Sequence, residues 1–256
     1  MQSGSKRNWR LAWTRSPDAG ADAHEDTFEH SNIQIARLSR RTSPSRRHPG
    51  TIDLNADRII SVTAPSVSRY PVPKLEDLPE DIRARMLEVQ EKAGFIPNVF
   101  LALAHRPDEF RAFFAYHDAL MLRDSGLTKA EREMIVVAVA GANDCLYCFV
   151  AHGAILRVYA KQPLVADQVG INYRKADITP RQKAMLAFAL KVSERSGEID
   201  DDDYATLLTH GFSDEDIWDI GNIAAFFCLS NRMANLISLR PNDEFFTLGR
   251  VPKPRA

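Results

Sequence analysis

After residue 65 the chain shows no sustained alternation of apolar and polar positions. Its apolar residues fall instead into segments bounded by proline, glycine and acidic residues. Such punctuation predicts helix after helix rather than strands. The first helix is expected over 79–92. Pro79, Glu80 and Asp81 stand at its start, where proline and negative charge suit a helix N-terminus, and Gly94 stands past its end. Prolines likewise open the segments 97–105 and 107–122. Further helices are expected over 128–140, 145–159, a short piece at 163–168, then 180–193, 201–210 and 213–238. The longest apolar run, 134–142, is about half of what a membrane span needs and reads as a buried helix. The expected fold class is all-α, over a domain of residues 66–256.

Two of these segments repeat. Residues 127–138 align with 178–189 in their caps, a methionine and the apolar positions behind it. Thr128 with Glu131, and Thr179 with Gln182, have the spacing of a capping box, in which each side chain satisfies the other's free backbone N–H. The domain is therefore expected to carry a repeated helical unit.

Residues 1–65 read differently. Ser, Arg, His, Asp and Gly dominate most of this stretch, and Arg37, Arg40, Arg41, Arg46 and Arg47 cluster within it. Such a composition buries too little apolar surface to offset chain entropy, so a disordered, basic N-terminal extension is expected. Asp22, Glu25, Asp26 and Glu29 argue against a transit peptide, and the apolar core of a secretory signal is missing. Over the whole chain, 33 Lys and Arg against 34 Asp and Glu give a net charge of −1, which provides no footprint for nucleic acid. No membrane span is expected either.

With only Cys145, Cys148 and Cys228, the chain is no disulfide scaffold. The expected location is the reducing cytoplasm, where a close cysteine pair is redox-active or metal-binding. Cys145-Leu146-Tyr147-Cys148 is followed by His152. Gly141 reads as the stop of the preceding helix, and Asn143 or Asp144 as the cap of the next. Both cysteines then fall in a first helical turn, where free N–H groups and the helix dipole favour thiolate. His152, one turn beyond Cys148, shares its face. A short connection makes the two helices antiparallel, and Glu133, eight residues before Gly141, comes level with His152, eight after Asp144. Ala184 occupies the corresponding place in the second unit, which has no cysteine pair after it.

This set suits peroxide chemistry: a thiolate attacks, a second thiol condenses with the sulfenic acid, and a His–carboxylate pair moves the protons. Two other readings of the same residues are a redox-sensing protein without turnover and a zinc-stabilised helical module. Elsewhere, Cys228 reads as buried in an apolar helix, His105 as a helix-end cation and His117 as part of an aromatic face. Phe245 and Phe246 read as packing residues, and Asn231 and Asn235 have no assignment.

Glu133, Cys145-x-x-Cys148 and His152 together resemble the active-site pattern of the alkylhydroperoxidase D-like group in the carboxymuconolactone decarboxylase superfamily. Residues 71–250 resemble its peroxidase-related members. The resemblance implies Cys148 as the peroxidatic cysteine, Cys145 as resolving cysteine and proton donor, and His152 with Glu133 as the relay. It also implies a small-molecule peroxide substrate, a thiol reductant of unknown identity, and a homotrimer or homohexamer. No cofactor and no metal is implied. One position departs from the best-studied branch: Tyr147 stands where that branch has a second His before its second cysteine.

Overall fold

The computed structural model describes residues 66–250. The expected disordered extension, 1–65, lies outside the described residues, as do 251–256. Ten α-helices occur among the described residues, joined by short turns and 3-10 segments, with no strand between them. They are α1 (Glu80–Ala93), α2 (Asn98–Leu103), α3 (Pro107–Met121), α4 (Lys129–Ala142), α5 (Leu146–Ala160), α6 (Val165–Asn172), α7 (Pro180–Arg195), α8 (Asp201–Thr209), α9 (Asp214–Leu236) and α10 (Asp243–Thr247).

Local chemistry sets most of the boundaries. Gly94 ends α1 in the left-handed region at φ 86°, which a residue without Cβ adopts freely, and its N–H donates to the Gln90 carbonyl. Thr128 and Glu131 form the expected capping box of α4, and Thr179 with Gln182 forms the matching one of α7. Asp200 with Asp203 and Ser213 with Asp216 cap α8 and α9 in the same way. Each such cap contributes about 1 kcal/mol.

The centre of the molecule is α4. Every residue from Glu131 to Ala140 is buried, because α5, α6, α7 and α9 enclose the helix on all sides. The apolar run in the sequence is this enclosed helix. At about 1.5–3 kcal/mol for each fully buried aliphatic side chain, Ile135, Val136, Val137 and Val139 are a large part of the core. The buried Arg132 guanidinium donates to the carbonyls of Leu120 and Arg123 and to Ser125 Oγ, and Asp219 of α9 lies 3.9 Å away. It thereby pins the α3–α4 connection to α9.

Gly141 does not stop α4; the helix runs through it to Ala142. Its small size serves the crossing with α6, where a Cβ at position 141 would stand 2.7 Å from the Gly170 carbonyl oxygen. A second layer, α1 to α3, packs Ile82, Met86, Phe100, Phe110 and Phe114 together beside α5 and α9. Arg157 of α5 donates to the carbonyls of Phe245 and Leu248, which holds α10 over the same region. Among the described residues no helix is long and apolar enough to cross a membrane.

Candidate active site

The α4–α5 turn carries the cysteines. Asn143 closes α4, Asp144 takes a left-handed conformation at φ 51°, and the Cys145 N–H returns to the Ala140 carbonyl at 2.9 Å. Cys145 is therefore itself the N-cap of α5, in place of Asn143 or Asp144 and ahead of the first turn. Its sulfur accepts the Cys148 backbone N–H at 3.4 Å. A sulfur in that position faces the free N–H groups and positive end of the helix.

Both cysteines are almost fully buried, at 1% and 2% exposure. Only Cys148 opens onto the large cavity of about 460 Å³ enclosed by α1 to α3, α5, α9 and α10. Phe95, Phe100, Phe113, Phe114, Phe227 and Phe245 make its walls largely aromatic. The neighbouring Cys148, through its thiol and its N–H, holds the Cys145 thiol below its ordinary range against the opposing effect of burial. The Cys145 sulfur and burial push Cys148 well up. Of the two, Cys145 is the readier to give up its proton.

Glu133 and His152 meet across the α4–α5 hairpin: His152 Nδ1 lies 2.8 Å from Glu133 Oε2. The ring also stands edge-on to Phe227, with centroids 4.8 Å apart. With Nδ1 donating to the carboxylate, Nε2 is the nitrogen left to serve as a base or acid in the cavity that Cys148 also lines. Cys148 and His152 thus both line the cavity, with Cys145 in contact with the first and Glu133 with the second. Glu131 stays apart, occupied by its capping box and by an ion pair with Arg181.

Tyr147 is a structural tie. Its hydroxyl accepts the Val99 N–H at 3.2 Å, and burial pushes its phenol far above the ordinary range. It cannot exchange a proton near neutral pH as a histidine would. A second histidine does line the cavity, from another helix: His117 of α3, with Nδ1 3.0 Å from Asp118, which Arg85 in turn grips at 2.8 and 3.0 Å. Burial lowers the His117 pKa, against the opposing pull of Asp118. His117 also packs against Phe114, Phe226 and Phe227, so it belongs to an aromatic face and to the cavity wall at once.

Other expectations are refined. His105 donates to the Ala102 carbonyl near the end of α2, as a helix-end residue. Phe245 packs edge-on against Phe95 and also forms cavity wall, whereas Phe246 is partly exposed. Cys228 is only partly buried, and its thiol reaches Ser193 Oγ at 3.1 Å, because α9 turns it toward a polar seam rather than the apolar core. Among the described residues no three His, Cys, Asp or Glu side chains converge in a way that could hold a metal ion. Sequence reasoning missed Ser230 and left Asn231 unassigned. Both are buried beside the cysteines, and the signal was available: two polar residues within the apolar stretch of α9.

Helices arranged in this way around a buried cysteine pair define a class of all-α proteins, and comparison with known proteins narrows it. The model of the carboxymuconolactone decarboxylase family matches residues 107–162, which span α3 to the end of α5. The crystal structure of an alkylhydroperoxidase AhpD core, an uncharacterised peroxidase-related protein from Ralstonia eutropha JMP134, is 72% identical. It covers 74% of this chain and 100% of its own, with a TM-score of 0.74. A second uncharacterised peroxidase-related protein, from Silicibacter sp. TM1040, is 40% identical over the same shares, with a TM-score of 0.70. The debrominase Bmp8 is 19% identical over 70% of this chain and 93% of its own, with a TM-score of 0.56, and shares the fold. No curated protein matches the chain. Likeness at 72% and 40% identity over the full length of both relatives settles the family: this chain belongs to the AhpD-like, peroxidase-related branch of the carboxymuconolactone decarboxylase superfamily.

Proposed function

We propose that the protein is a thiol-dependent peroxidase that reduces hydrogen peroxide or small organic hydroperoxides through the Cys145–Cys148 dithiol. The observation that carries this reading is the division of the pair. Cys148 opens on an aromatic-walled cavity, while Cys145 sits behind it as the helix cap, beside a buried His152–Glu133 pair.

In the proposed cycle the proton shared by the sulfurs first moves to Cys145, which leaves Cys148 as thiolate. That sulfur attacks the terminal peroxide oxygen. The S–O bond forms as the O–O bond breaks, and sulfur is oxidised while the peroxide is reduced. The alkoxide or hydroxide leaves with a proton from the ring of His152, which Glu133 orients. Cys145 then gives its proton to the His152 side and attacks the sulfenic sulfur. The S–S bond forms, the S–O bond breaks, and the departing hydroxide takes that proton as water. The sum is one disulfide, one alcohol or water, and one water for each peroxide. An external thiol reductant would return the pair to its starting state. The same reading makes the protein a cytoplasmic homotrimer or homohexamer, which light scattering tests.

The near-complete burial of both sulfurs favours a second reading, a redox sensor that oxidises once and slowly. One experiment separates the two. The reduced protein receives one equivalent of hydrogen peroxide or cumene hydroperoxide, thiol loss is followed by stopped flow, and products are mapped by mass spectrometry. Rapid loss of two thiols with a Cys145–Cys148 disulfide, abolished in Cys148→Ser and sustained as turnover with a dithiol reductant, is expected. An inert wild-type pair would refute the peroxidase.

A further inference from the structure

Asn231 presents an unusual combination. It lies on the buried face of α9 at 0% exposure, among Ile223, Ala224, Phe227 and Ala234. Its Oδ1 accepts from Asn143 Nδ2 at 3.2 Å. Asn143 closes α4 two residues before Cys145, and Asn235 Nδ2 donates to the Asn143 carbonyl at 3.1 Å. These contacts bind α9 to the turn that carries the dithiol, and they fix the orientation of the Asn231 amide. Among the described residues its Nδ2 has no hydrogen-bond partner. A buried donor left in that state is unfavourable, and native structures rarely keep one without a reason.

The reason lies in what faces it. Asn231 stands beside both sulfurs, near enough to favour their ionised forms, and the Ser230 hydroxyl does the same for Cys148. We infer that Asn231 is an anion-stabilising residue of the dithiol site: the amide, held by Asn143 and lacking a full partner, is aimed to donate its N–H to the negative charge that the Cys145–Cys148 pair shares and passes between its sulfurs. A donor placed in advance does not reorganise when the charge arrives, and a dry site strengthens it. The same N–H would complete its hydrogen bond as the charge shifts toward Cys148. The inference rests on the dithiol reading above, although its test does not require peroxide.

The test is the pH dependence of alkylation of Cys145 and Cys148 by iodoacetamide, resolved by mass spectrometry. Asn231→Leu keeps the side-chain volume and removes the donor. The titratable groups around the pair are His152 and Tyr147 on α5, Glu133 on α4, His117 on α3 and Cys228 on α9, and the substitution changes none of them. The apparent thiol midpoint is expected to rise by about one pH unit, the scale of one lost hydrogen bond to an ionised group. Asn143→Ala keeps the amide but frees it to turn, and should raise the midpoint by less; it decides the question if Asn231→Leu does not fold. A lowered thermal midpoint with an unmoved pH profile in either variant would overturn the inference and leave Asn231 as a strut. A shifted profile in a protein whose wild type ignores peroxide would sink the peroxidase reading alone.

Discussion

Replacing Glu133 with Gln isolates the charge in the relay. The side chain keeps its length and can still accept from His152 Nδ1, now at 2.8 Å from Oε2, so the geometry survives. What disappears is the negative charge beside the His152 ring when that ring carries the relay proton. The pair is well shielded from solvent, with side-chain exposures of 15% for His152 and 7% for Glu133, so little screening offsets the loss. Hydrogen bonds to ionised groups contribute about 1.5–3 kcal/mol against about 0.5–1.5 for neutral ones, a difference of about 1–1.5 kcal/mol. If the relay proton is in flight in the transition state, Glu133→Gln should slow oxidation of Cys148 by about tenfold. Glu133→Ala should slow it further, because His152 then loses its acceptor altogether. The assay is stopped-flow thiol loss with cumene hydroperoxide at neutral pH, accompanied by thermal unfolding. The Gln variant should unfold close to wild type. Oxidation within twofold of wild type in Glu133→Gln would refute the argument and remove Glu133 from the mechanism.

Three further outcomes follow from the packing and the burial. Gly141→Ala should lower stability by about 1–3 kcal/mol in urea unfolding, because its Cβ would meet the Gly170 carbonyl oxygen at 2.7 Å where α4 crosses α6; an unchanged midpoint would show that the crossing gives way. Arg132→Met should cost about 3 kcal/mol or more by the same measurement, since it strips Asp219 of its buried neighbour and leaves the Leu120 and Arg123 carbonyls without their donor. His117 is held below its ordinary pKa by burial, so below about pH 6.5 the unfolded chain takes up a proton that the folded chain refuses. Stability must then fall as pH drops through that window, and His117→Gln should flatten the fall; parallel slopes in denaturant titrations at pH 5 and 7.5 would contradict this.

The features legible in the sequence are those whose causes lie within one helix or one hairpin. Prolines 97, 107 and 180 stand where helices begin, and the boxes of Thr128 and Thr179 form as their spacing requires. The level placement of Glu133 and His152 followed from counting residues on either side of one short turn, and the 2.8 Å contact meets that count. Where the cause is distant, local reading fails. Gly141 resembles a helix stop, yet its neighbour is Gly170, 29 positions on, and only the packing of α6 shows why the site must be small. Cys145 looked like a first-turn residue, but the left-handed Asp144 brings the chain round one residue later, so the thiol itself caps the helix. That shift matters to the chemistry, since it places one sulfur on the helix N-terminus and leaves the other to the cavity. The Tyr147 substitution resolves through Val99, and the second cavity histidine comes from α3, neither of which any spacing near the cysteines could announce.

Asn231 lies between these cases. Its partners, Asn143 and the cysteines, are more than 80 positions away, so its task is invisible locally. Its strangeness is not. Ile220, Ile223, Ala224, Phe227, Asn231 and Ala234 form one buried stripe on α9 at spacings of three and four, while Arg232 and Asn235 fall outside it. An amide on that stripe must find partners in the interior or destabilise the fold. The interior supplies a full partner only for its oxygen. The two sulfurs lie near the amide, and on the inference above a donor that costs stability in the neutral site is offset when those sulfurs carry charge. A helical wheel of α9 thus identifies the residue, and the opposite end of the chain's own packing identifies what it serves.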